Sequence, residues 1–115
     1  MKKGILFAAL FICLASNGIA YAHPPKDIEI SYDPAAKILI VIIMHDTSNP
    51  LSHYIKKVDV GLNGQEIIQQ MISRQDNNAS QKVSYFIPEV KSGDRLSAEG
   101  YCSISGKLKK EIVAK

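Results

Sequence analysis

The sequence predicts an all-β domain, a sandwich of about seven antiparallel strands, on three observations. Apolar residues recur with period two over short segments, as in Ile28-x-Ile30-x-Tyr32 and Val58-x-Val60-x-Leu62. Turn formers separate those segments at near-regular intervals: Asp33-Pro34, Asn49-Pro50, Asn63-Gly64 and Ser92-Gly93-Asp94. No long helical stripe competes with them.

The chain opens on what reads as a secretory signal, residues 1–22. Lys2 and Lys3 supply a positive start, Gly4 to Gly18 is uncharged and mostly apolar, and Ala20-Tyr21-Ala22 is a small-x-small cleavage site. That apolar stretch is 15 residues long, short of the roughly 20 needed to span a bilayer. Of the 115 residues, cleavage would leave 93, residues 23–115, as a single domain beginning at His23. The net charge falls from +3 to +1 as Lys2 and Lys3 depart. A nearly neutral domain without runs of like charge is not built to bind nucleic acid, and nothing after the leader predicts a membrane contact. The expected location is the periplasm or the exterior.

Asp27 to Tyr32 is the first expected strand, half buried, and Asp33 to Lys37 its turn. Ile38 to His45 (ILIVIIMH) is a nearly continuous apolar run, expected as a central strand buried on both faces. Asp46 to Ser52 is a polar loop. His53 to Leu62 alternates again, and Asn63-Gly64 is a strong two-residue hairpin signal. Gln65 to Ile72 fits either a helical face or a strand, and the hairpin turn before it selects strand. Arg74 to Ser80 reads as an exposed loop. Val83, Tyr85 and Ile87 mark a fifth strand ending at Pro88. Arg95 to Ser103 sets Leu96, Ala98, Gly100 and Cys102 on one face, and Lys107 to Val113 closes the chain as an edge strand guarded by Lys107, Lys109 and Lys110. Seven such strands in about a hundred residues point to an immunoglobulin-like sandwich.

Strand polarity then assigns the reactive side chains. His23 precedes the first strand, His45 ends the second, His53 begins the third and Cys102 lies near the end of the sixth, all at one pole. Cys13 departs with the leader, so Cys102 has no disulfide partner in the mature chain. Imidazole nitrogens with a thiolate suit zinc, copper or iron and not calcium or magnesium. Each residue also has a plainer reading, a surface histidine or a buried small hydrophobe. The chain has no nucleophile motif and no glycine-rich phosphate loop, which argues against hydrolase or transferase chemistry.

His53 to Ile67 (HYIKKVDVGLNGQEI) and Gly93 to Gly106 (GDRLSAEGYCSISG) resemble the iron domain of desulfoferrodoxins and superoxide reductases, itself an immunoglobulin-like sandwich. The most specific pieces are His53-Tyr54-Ile55 and Tyr101-Cys102-Ser103-Ile104-Ser105-Gly106. In that family four histidines and an axial cysteine thiolate hold ferrous iron, and superoxide is reduced at the open sixth position. The resemblance therefore implies His23, His45, His53 and Cys102 as iron ligands, with superoxide or a redox partner protein as the counterpart. Ser105 stands where the fourth histidine belongs, as a substitute at the missing ligand position. Asp46 replaces the usual proline after His45, the loop is two residues longer, and the family's lysine before the first histidine falls on Ala22. The chain could alternatively be a copper-binding module without enzymatic activity, anchored by His23 as a new N-terminus whose α-amino group adds a ligand. A third reading is a metal-free protein-interaction domain, like the sandwich domains that accompany sulfur-oxidation carriers.

Overall fold

The computed structural model describes residues 23–115; the expected leader, its cleavage site and Cys13 lie outside the described residues. Seven strands form: β1 (Asp27–Asp33), β2 (Ile38–Met44), β3 (Ile55–Leu62), β4 (Gln65–Met71), β5 (Ser80–Phe86), β6 (Arg95–Cys102) and β7 (Lys107–Val113). They make two antiparallel sheets, ordered β1-β2-β5 and β4-β3-β6-β7. The all-β sandwich expected from the sequence is what the chain forms. Among the described residues no helix is long and apolar enough to cross a membrane.

The hairpin at Asn63-Gly64 decides which sheet receives β4. Both residues have positive φ, 53° and 86°, the conformation of a two-residue turn whose twist matches the flanking strands. So tight a turn leaves β4 no choice but to pair with β3, rather than with β5 as in constant-type immunoglobulin domains. A bulge between Val60 and Gly61 interrupts that ladder, and Ile67 opposite it is the unpaired extra residue.

The core lies between the sheets. Leu39, Val41 and Ile43 of β2 face Ile55, Val58 and Val60 of β3 and Leu96 and Ala98 of β6, all fully buried. Each large member contributes about 1.5–3 kcal/mol through burial. The expectation that β2 would be buried on both faces does not hold. Ile38, Ile40, Ile42 and Met44 are only half-buried, because among the described residues no further layer covers the outer face of the three-stranded sheet. Gly100 packs tightly against β2: a Cβ there would sit 3.0 Å from Ile43 Cδ1.

The two poles are fastened differently. At the pole away from the histidines, the Asn63 amide donates to Asp94 Oδ1 (3.0 Å) and its oxygen accepts the Arg95 N–H (2.8 Å). Asp94 Oδ2 accepts the Lys91 N–H at 2.8 Å. These bonds hold the Asp94 carboxyl below the usual carboxylate range, the Asn63 amide contributing most and the Lys91 N–H next. The β7 edge carries the expected lysines, and Lys110 reaches Asp27 of β1 across the open side (2.6 Å).

Candidate metal centre

Three loops meet at the other pole. His45 follows β2 directly, and its N–H donates to Ala79 O (2.9 Å), which carries the β2–β5 pairing one step further. The chain then crosses to the second sheet through a loop folded about Asn49. The Asn49 carbonyl accepts the N–H groups of Ser52 (3.1 Å) and His53 (2.9 Å), and its side chain accepts that of Leu51 (3.1 Å). This compact fold turns His53 back towards His45. His23 arrives on the segment before β1, fixed by the Lys26 N–H to Met44 O bond (2.8 Å) and by Pro25, which is buried.

The three imidazoles converge. Ring centroids lie 5.1 Å apart for His23 and His45, 5.2 Å for His23 and His53, and 4.8 Å for His45 and His53. One nitrogen from each ring falls within 4.8 Å of the others, a group that could hold a metal ion. Nitrogens bound to a tetrahedral zinc-sized ion sit about 3.4 Å apart, given bonds near 2.0–2.1 Å, so the rings close by about an ångström on binding.

Hydrogen bonds indicate which nitrogens face the centre. His45 is fully buried, and its Nδ1 lies 2.9 Å from Gln75 Oε1, which can only accept. The ring proton is therefore on Nδ1. His23 Nδ1 donates in the same way to Pro24 O at 3.2 Å. The Nε2 atoms of His45 and His53 are buried and have no hydrogen-bond partner. Burial, and then the two neighbouring rings, push the pKa of His53 down, which favours the neutral form that ligates metals. Beside the cluster Lys26 and Asp46 form an exposed ion pair at 2.9 Å, and the lysine keeps the Asp46 carboxyl below its ordinary range.

Of the sequence-predicted site residues, the structure gathers His23, His45 and His53, while Cys102 is outside the group. Cys102 completes the inward stripe of β6 after Leu96, Ala98 and Gly100, only 2% exposed, and its sulfur accepts the Ile104 N–H at 3.4 Å. Ser105 is exposed in the β6–β7 turn, and the nitrogen group forms without it.

Sequence reasoning missed Gln75. It sits in the Arg74–Ser80 segment, expected to be exposed throughout, yet is 3% exposed. Nothing in a run of Arg, Gln, Asp and Asn distinguishes the one amide that turns inward. Comparison with protein-family models and with curated proteins finds no match.

Proposed function

We propose that this protein is an exported metal-binding module whose transition-metal ion is held by Nε2 of His23, His45 and His53. The observation that carries this reading is the pair of unpartnered Nε2 atoms on His45 and His53, buried side by side. A buried imidazole nitrogen without a partner costs free energy, and two of them aimed at a third ring are accounted for by an ion that all three share. Three neutral nitrogens with no carboxylate in the group exclude calcium and magnesium and suit copper, zinc or iron. Of the divalent first-row ions, copper binds such a donor set most tightly. A leader ending at Ala22 would deliver the domain to the periplasm or the exterior.

Ferrous iron with superoxide-reducing activity is the second reading, which the resemblance suggests. Cys102 pairs with Ile55, two residues beyond His53, and its sulfur, outside the nitrogen group, would have to move to the ion to ligate it. Bound iron would supply one-electron reduction at an open position, with the histidines holding it and Cys102 tuning its potential.

Metal analysis of protein purified from its native compartment tests both. One equivalent of copper or zinc, lost in His45→Ala, supports the first reading. Iron with a thiolate charge-transfer band that disappears in Cys102→Ser supports the second. Absence of any stoichiometric metal, with none taken up on titration, overturns both and leaves the protein-interaction domain.

A further inference from the structure

We propose that Gln75 is the positioning residue of the histidine centre: it selects the His45 tautomer that leaves Nε2 free, and it holds the His45–His53 loop closed. This inference rests on the reading of the three histidines as metal ligands.

Gln75 contacts the site through both ends of its side-chain amide and through its backbone N–H. Its Oε1 accepts the His45 Nδ1–H at 2.9 Å. Its Nε2 donates to the carbonyl of His45 at 2.7 Å and to that of Asn77 at 2.9 Å. Its backbone N–H donates to Pro50 O at 3.1 Å, inside the loop that joins His45 to His53. One residue thus grips a ligand by ring and backbone and ties down the loop that returns the next ligand.

The orientation of the amide is forced. Turned over, Oε1 would face two carbonyl oxygens and the NH₂ group would face the imidazole, losing both carbonyl bonds at a buried position. With Oε1 fixed towards the ring, His45 must carry its proton on Nδ1. A neutral histidine in water mostly carries its proton on Nε2, so the protein imposes the less common form. That form presents the Nε2 lone pair to His23 and His53.

A carboxylate could not do the same: a glutamate would accept the ring proton but turn its second oxygen on the carbonyls of His45 and Asn77, losing both of those bonds.

Two variants of the full domain test this, Gln75→Met and Gln75→Glu, with cobalt(II) titrated against a competing chelator. Nitrogen-15 NMR of the metal-free protein reads the His45 tautomer directly. Gln75→Met is expected to weaken cobalt binding about 10–100-fold and to move the His45 proton to Nε2. Gln75→Glu is expected to keep the Nδ1–H form, since one oxygen still accepts from the ring, and to bind more weakly than the parent, since the other oxygen faces two carbonyls. The inference is overturned if Gln75→Met keeps parental affinity and tautomer, or if Gln75→Glu moves the proton to Nε2. Should Gln75→Met fail to fold, the tautomer of Gln75→Glu still decides. A parent protein that binds no cobalt, copper, zinc or iron defeats the metal reading instead, a result distinct from either variant outcome.

Discussion

Gly106 lies flat against Pro24. A Cβ at position 106 would come within 2.9 Å of the N, Cα and Cβ atoms of the proline, and Gly106 itself has φ of +89°. The β6–β7 turn is therefore the floor on which the His23 segment rests. Gly106→Ala carries two costs, about 1–2 kcal/mol for a left-handed backbone and a displacement of Pro24 with the adjacent histidine. Lower thermal stability and weaker metal binding are expected together, read by calorimetry and chelator competition. Gly64→Ala is the control. It has a similar φ of +86° with nothing within 4 Å at the opposite pole, so it should lose stability and keep metal affinity.

Core complementarity at Gly100 gives a second prediction. Alanine there meets Ile43 Cδ1 at 3.0 Å and Cγ2 at 3.2 Å, between two central strands that have little room to part. Gly100→Ala should cost about 1–3 kcal/mol by overpacking. Adding Ile43→Val removes the nearest methyl and should recover part of that loss. Denaturant titration of the two single variants and the double would show the coupling as non-additivity.

Acid stability should depend on Asp94. Its carboxyl is held below 3.8 by the Asn63 amide and the Lys91 N–H, so the folded state favours the ionised form more than the unfolded chain does. The resulting stabilisation is complete above the unfolded value and disappears as pH falls through the folded one. Asp94→Ala should lower Tm at neutral pH and flatten its decline below pH 4, as measured by thermal melts across pH.

Metal binding should stabilise the whole sandwich. His23 and His45 belong to the three-stranded sheet, and His53 leads into the four-stranded one, so a shared ion joins the two layers. At a free metal concentration 100 times Kd the gain is about 2.7 kcal/mol, or roughly ten degrees or more in Tm for a domain this size. His23→Ala, a change at an exposed position, should remove most of the shift without unfolding the metal-free protein.

The sequence was most legible where backbone periodicity and turn chemistry agreed. Asn63-Gly64 settled the ambiguous Gln65 to Ile72 segment as a strand, and β4 spans Gln65–Met71. Strand polarity alone gathered the three histidines at one pole, because each adjoins a strand end whose direction was known. Side-chain reach was harder to read. Polarity placed Cys102 at the same pole, and the structure buries it there without bringing it into the nitrogen group. Burial of β2 on both faces was inferred from composition, which cannot show whether a third layer exists to cover it. Gln75 was beyond reach, since its inward turn depends on a tertiary contact with His45 thirty residues away.

The bonds among Asn63, Lys91, Asp94 and Arg95 make the far pole self-contained. The β3–β4 hairpin is the most local pairing in the four-stranded sheet, and its turn docks directly on the entrance to β6. Assembly is thus expected to start there, and the three histidines, drawn from the segments before β1, after β2 and before β3, to meet only afterwards. The three rings would then come together only in a nearly finished protein, so that ion capture follows folding instead of nucleating it.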